Sequence, residues 1–152
     1  MHRAFEDFPV GSRLISESHT ISAEAIIEFA RQFDPQPIHL DASGESEGLL
    51  GGLSASGWQT AAISMRLFID LMQVEGGIIG RAIDELRWPA AVHPGDRLRV
   101  EIEILEARLS KSKPGYGLLR YRSLTKNQND QIVQSFIAVA ILPTRSRAPT
   151  LH

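Results

Sequence analysis

One segment limits the architectures open to this chain more than any other. From Gly57 to about Val74 the residues read as a helix, and apolar side chains such as Trp58, Ala61, Met65, Phe68, Ile69 and Met72 fall nearly all round its axis. A helix that is apolar on most sides is buried on most sides. At about 1.5 Å per residue it runs roughly 27 Å. Ser56 is placed to cap its start, and Gly76-Gly77 to end it. Arg66 and Asp70, four residues apart, mark its one wet face. Such a helix has to be wrapped, and the rest of the chain offers mainly strands.

Arg97 to Ile104 alternates most cleanly, with Leu98, Val100, Ile102 and Ile104 on one face and Arg97, Arg99, Glu101 and Glu103 on the other. The alternation changes phase at Leu105, which predicts a bulge. Ala82–Trp88, Tyr116–Lys126 and Ile132–Leu142 read as further strands, and Asn127-Gln128-Asn129-Asp130 makes a hairpin turn between the last two. The final strand is apolar on both faces and is expected to be central. Upstream, Leu14 to Ile21 reads as a strand. Ser22 caps a helix, with Ile21 and Ile26 as a hydrophobic staple and Ile26, Phe29, Ala30 and Phe33 as its core-facing stripe. Pro35 and Pro37 end that helix. Thr144 to His152 has little to bury and is expected to be a loose tail. The sum is one α+β domain over residues 1–152, a long helix wrapped by a curved antiparallel sheet.

Composition removes several functions. The chain has no cysteine, so disulfides, thiolate metal sites and a cysteine nucleophile are excluded, and a reducing cytoplasm is the expected location. The longest apolar run is Phe136 to Leu142, far short of the roughly 20 residues of a membrane span. The N-terminus lacks the apolar stretch of a signal peptide. The net charge of −2 gives no reason to expect nucleic acid, but it hides a division. Residues 1–76 carry four Lys and Arg against eleven Asp and Glu, and residues 77–152 carry twelve against seven. Ala107 to Asn129 contains no acid but holds Arg108, Lys111, Lys113, Arg120, Arg122 and Lys126. This stretch is either a solvated strand pair or a surface that meets a phosphorylated ligand or an acidic partner.

Residues 34–56 form a connection long enough to suggest function, and its glycines and serines (Gly44, Ser46, Gly48, Gly51, Gly52) give it turn chemistry. It contains His39, the one histidine there with a nearby carboxylate, Asp34. Two prolines stiffen the step between them, as acid–base chemistry on one water requires. The same residues also fit a plainer reading, a turn-capping aspartate and a satisfied loop histidine. A metal held by Asp34, His39 and Asp41 matches no known ligand spacing, so none is expected. Ser56-Gly57 begins the long helix, where free amides and the helix dipole favour an oxyanion and glycine lets it approach. No serine-nucleophile elbow, phosphate loop or dinucleotide fingerprint is present.

Asp34, Gln36, Pro37, Ile38 and His39, followed by Gly51-Gly52-Leu53-Ser54-Ala55-Ser56-Gly57-Trp58 and the Pro94-Gly95-Asp96 turn, resemble the MaoC-like dehydratase family, which includes (R)-specific enoyl-CoA hydratases. The resemblance covers roughly residues 5–142. It implies a hot-dog fold, already close to what periodicity suggests, and a homodimer or higher homo-oligomer. It also implies a hydro-lyase acting on a 2-enoyl or 3-hydroxyacyl thioester of coenzyme A, with no cofactor or metal. On that resemblance Asp34 and His39 activate one water and Gly57 offers its amide to the thioester oxygen. Gln36, Pro37, Ser56 and Trp58 would bind substrate, and Lys111, Lys113, Arg120 and Arg122 could approach the coenzyme phosphates. Gln36 stands where the family has asparagine, and Ser56 where many members have histidine. A hot-dog thioesterase and a non-catalytic acyl-CoA-binding subunit are the competing activities.

Overall fold

The structure, a computed structural model, describes residues 2–43 and 48–147. Gly44 and Ser46, and the tail from residue 148, lie outside the described residues. A single 3-10 turn at Phe5–Asp7 precedes β1 (Arg13–Ile15) and β2 (His19–Thr20). Helices α1 (Ala23–Phe33), α2 (Pro37–Leu40) and α3 (Gly57–Met72) follow, then β3 (Ile79–Arg87), β4 (Arg97–Leu109), β5 (Tyr116–Lys126) and β6 (Ile132–Pro143). The strands form one antiparallel sheet in the order β1-β4-β5-β6-β3, with β2 also paired to β4.

The sheet's inner face follows from the alternation in its strands. Leu98, Val100, Ile102 and Ile104 of β4 are buried, as are Leu119 and Tyr121 of β5 and Val133, Ala138 and Ala140 of β6. They meet Leu67, Phe68 and Met72 of α3 in one core. Phe68 stacks on Tyr121 with ring centroids 5.0 Å apart. Ser64 binds Thr125 at 2.7 Å and donates to the carbonyl of Thr60, so a buried hydroxyl pair links helix to sheet. The phase change at Leu105 is a register shift between Ile104 and Glu106. Two further shifts bend β3, the edge strand. This is the hot-dog fold of the α+β class. Among the described residues no helix is long and apolar enough to cross a membrane.

The structure corrects several expectations. The N-terminal strand is two short pieces, β1 and β2. Phe33 is 70% exposed and lies against Phe29 rather than in the core. The α3 helix stops at Met72, because Gln73 takes a left-handed conformation (φ 49°), before the glycines are reached. Its outer face is also wider than one ion pair: Trp58, Met65 and Ile69 are exposed beside Arg66 and Asp70. Periodicity cannot distinguish an apolar face packed in the core from one left open. Residues 144–147 are tied down, since Thr144 donates its amide to the Gly115 carbonyl and Arg145 pairs with Asp7. The strand at the centre of the sheet is β5; β6 is interior, between β5 and β3.

Candidate active site

Ser22 caps α1 by accepting from the Ala25 amide, and the helix ends at Asp34, whose own amide reaches back to the Ala30 carbonyl. Proline at 35 stops further winding, and proline at 37 supplies the fixed φ that opens α2. The long connection therefore contains one helical turn where sequence suggested only loop. That turn carries His39 back toward Asp34. His39 Nε2 lies 3.3 Å from Asp34 Oδ2, and His39 is buried.

The imidazole is fixed from its other side. Its Nδ1 sits 2.7 Å from the Ser54 carbonyl, which can only accept, so Nδ1 carries the proton and Nε2 faces the carboxylate. Ser54 in turn donates its amide to the Ile38 carbonyl. Ala55 donates to Val92, and His93 Nε2 is 2.7 Å from the Leu50 carbonyl. These bonds bind the segment before α3 to α2 on one side and to the β3–β4 connection on the other.

Asp34 has donors on both oxygens. Gln36 Nε2 reaches Oδ1 at 2.5 Å and Ser56 Oγ reaches Oδ2 at 2.7 Å. Gln36 and then Ser56 hold its carboxyl below the usual aspartate range, against the opposing effect of burial, with His39 a smaller contribution. Ser56 also accepts from the Trp58 amide and so caps α3 while it binds Asp34. Gly57 is the first residue of α3, and its amide has no partner inside the helix.

Asp34, His39, Ser56 and Gly57 share a cleft of about 620 Å³ with Trp58 and Trp88. Ile38, Leu50 and Val133 give it apolar wall. Trp58 stands at the rim, 60% exposed, edge-on to Trp88 with centroids 5.1 Å apart. Gln36 and Pro37 do not line the cleft. Gln36 acts on Asp34 from behind, and Pro37 starts α2. Sequence reasoning missed Trp88, which donates Nε1–H to Gln134 at 2.9 Å and lies over Gly57. A Cβ on Gly57 would come within 2.7 Å of the Trp88 ring. The glycine is therefore required by close packing as well as by its place at the helix start. Ser54 was also missed, because it acts through its backbone and leaves no mark in side-chain chemistry. Among the described residues no three His, Asp or Glu side chains gather as a metal site needs.

Comparison with known proteins agrees with this architecture. Residues 7–127 match the MaoC like domain, and the chain belongs to that family. It is 32% identical to the Bacillus subtilis (strain 168) protein YdeM, itself uncharacterized, over 126 residues covering 82% of this chain and 88% of that one. A MaoC-like dehydratase from Rhodospirillum rubrum has a TM-score of 0.87 at 43% identity, covering 94% of this chain and 98% of that one. The (R)-hydratase PhaJ1 from Pseudomonas aeruginosa has a TM-score of 0.76 at 23% identity, covering 98% and 95%, a likeness of fold.

Proposed function

We propose that the protein is a hydro-lyase that adds water across the double bond of a 2-enoyl thioester of coenzyme A, or removes it from the 3-hydroxyacyl thioester. The observation that carries this reading is the Asp34–His39 pair, 3.3 Å apart and facing one cleft beside the start of α3. Asp34, kept as a carboxylate by Gln36 and Ser56, and Nε2 of His39 together hold one water on their cleft side. As the water oxygen bonds to C3, the pair takes one of its protons and supplies one to C2. The electrons of the C2–C3 double bond pass through the thioester oxygen, where the Gly57 amide and the α3 dipole stabilise the developing charge. Atoms balance as one water added, and no redox change occurs.

A homodimer fits the same reading. β3 is an edge strand with Ile79 and Ile83 exposed, and the exposed Met65 and Ile69 of α3 add to the apolar surface.

The test is incubation with a short 2-enoyl-CoA, following the conjugated absorbance and free thiol together. Loss of absorbance without thiol is the expected result. Asp34→Asn and His39→Ala should each lower the rate by about 10²–10⁴-fold, the usual range for a positioned acid–base group, while circular dichroism stays native. Thiol release would instead assign thioester hydrolysis, and wild-type rates in either variant would refute the pair.

A further inference from the structure

The basic residues of β5 face away from the cleft. Arg120 and Arg122 alternate with the buried Leu119, Tyr121 and Ser123, so they lie on the sheet's outer face, against Glu106 at 3.7 Å and Glu103 at 3.4 Å. The inner face holds a different set of polar groups. Among the described residues, Ser54 Oγ, Gln59 Oε1 and Gln134 Nε2 are buried side-chain atoms without a hydrogen-bond partner. Buried polar groups are ordinarily paired, and leaving one unpaired is costly. Gln59 joins α3 to α1 through the Ala25 carbonyl, and Ser54 serves the catalytic side by holding His39. Gln134 belongs to the sheet, and neither the acid–base pair nor the thioester oxygen uses it.

An irregularity in β6 places Gln134. Thr125 pairs with Gln134 but Lys126 pairs with Ile132, so Val133 is an extra residue. This bulge turns two consecutive side chains inward, and Val133 and Gln134 are both fully buried. Val133 lines the cleft. Gln134 Oε1 accepts from Trp88 Nε1 at 2.9 Å, and Cε2, the carbon bonded to that nitrogen, is the atom 2.7 Å from a Cβ on Gly57. The Gln134 amide therefore sits close to the start of α3 with its N–H groups unused. On the helix, Thr60 follows Gly57 by three residues, roughly 4.5 Å along the axis. It is buried, it lines the cleft, and its hydroxyl has no partner among the described residues. Ser64, one turn further on, ties the Thr60 carbonyl to Thr125, the cross-strand neighbour of Gln134. Thr60 and Gln134 thus belong to one polar strip that runs from α3 to β6 at the floor of the cleft.

We propose that this strip selects the acyl group, and that the substrate carries an oxygen on the carbons beyond C3 that accepts from Gln134 Nε2 and meets the Thr60 hydroxyl. That the ligand is an acyl thioester rests on the proposed reaction; the unpaired groups do not. With the thioester oxygen at the Gly57 amide, an acyl chain laid along α3 reaches Thr60 within one turn. A plain alkyl end there leaves Gln134 and Thr60 unpaired and shut from water, whereas a hydroxyl, ether or carbonyl pairs them. A carboxylate fits less well. Among the described residues no Lys or Arg lines the cleft, and Asp34 already places a negative charge there.

Two substrates that differ only in a terminal methyl or hydroxyl, hex-2-enoyl-CoA and 5-hydroxypent-2-enoyl-CoA, are the direct probes. The wild type should hydrate the hydroxylated one with kcat/KM about tenfold or more above the other, the discrimination that pairing a buried donor gives. A ratio near one, or a preference for the methyl, overturns the proposal and leaves a bound water as the partner of Gln134. Gln134→Leu should bring the ratio to about one, and Thr60→Val, which keeps the shape of the side chain, should lower it about threefold or more. If Gln134 only steadies Trp88, its loss slows both substrates alike, and a ratio unmoved in both variants overturns the proposal. Should neither substrate be hydrated, calorimetric binding of the saturated pair, hexanoyl-CoA and 5-hydroxypentanoyl-CoA, separates the two readings. A preference for the hydroxyl that Gln134→Leu removes leaves the strip standing and refutes the hydro-lyase reading, whereas equal affinities refute both.

Discussion

Replacing Ser56 with alanine tests how the carboxylate is held. Ser56 is fully buried, its Oγ donates to Asp34 Oδ2 at 2.7 Å, and it accepts from the Trp58 amide at 3.3 Å. In the variant Oδ2 faces only His39. Losing a hydrogen bond to a charged group costs about 1.5–3 kcal/mol, and losing the longer capping bond adds about 0.5 kcal/mol, the low end for a helix cap. The expected loss is about 2–3.5 kcal/mol at neutral pH, a fall in Tm of roughly 4–14 °C at this chain length. The pH dependence separates the two roles. A carboxyl lowered on folding stabilises the protein above its unfolded value, and that contribution is lost as pH falls through the folded value. Asp34 is lowered by Gln36 and Ser56, so its contribution is complete at neutral pH and disappears below the ordinary aspartate range. The Tm gap between wild type and Ser56→Ala should therefore shrink in acid. The acid limb of the pH–rate profile should move to higher pH in the variant. Differential scanning fluorimetry across pH reads the first and enoyl-CoA hydration the second. A Tm gap that is the same at neutral pH and in acid would mean Ser56 only caps α3, refuting its hold on Asp34.

Three further outcomes follow from the packing. Gly57→Ala should cost about 1–3 kcal/mol by forcing its Cβ against Trp88, and Trp88→Leu in the same chain should recover part of that loss in thermal unfolding. A double variant as unstable as the sum of the singles would show that the ring is not what the methyl meets. Ser64→Ala leaves the Thr125 hydroxyl buried without its partner and should cost about 1–3 kcal/mol, whereas Ser64→Ala/Thr125→Val should cost less than the two singles combined. Met65→Glu/Ile69→Glu should convert a dimer to monomer in light scattering, and a dimer that persists would place the interface elsewhere.

The sheet was the most legible part of the molecule. In β4 and β5 one face is buried and one is wet, so period-two alternation is a direct record of the packing, and even the slip at Leu105 was visible. Helix α3 was legible in its start and its contact with the core but not in its outer face. Met65 and Ile69 are as apolar as Phe68, and composition does not say which neighbours a helix will have. The tail misled for the opposite reason: Thr144 and Arg145 are polar, yet hydrogen bonds to Gly115, Glu6 and Asp7 hold them. At the site, spacing and type made Asp34, His39 and Gly57 candidates, but a turn-capping aspartate and a satisfied loop histidine fitted the same residues, and the resemblance to the family was needed to choose; Ser56 was legible as a helix cap, not as a donor to Asp34. Trp88 could not be proposed, since its approach to Gly57 depends on how the end of β3 meets the start of α3. Gln36 and Pro37 lie within the motif but act on the backbone path and on Asp34, a distinction that needs coordinates.

The placing of Trp58 and Trp88 has an optical consequence. They are the chain's only two tryptophans, and both border the cleft, edge to face with an interplanar angle of 80°. Indole emission therefore comes from the mouth of one cavity, with no background from a distant tryptophan. Two indoles this close and nearly perpendicular should also couple their transitions and give a paired circular dichroism band. A ligand that shifts either ring would change emission and band together, so occupancy of the cleft can be followed without a label and without turnover.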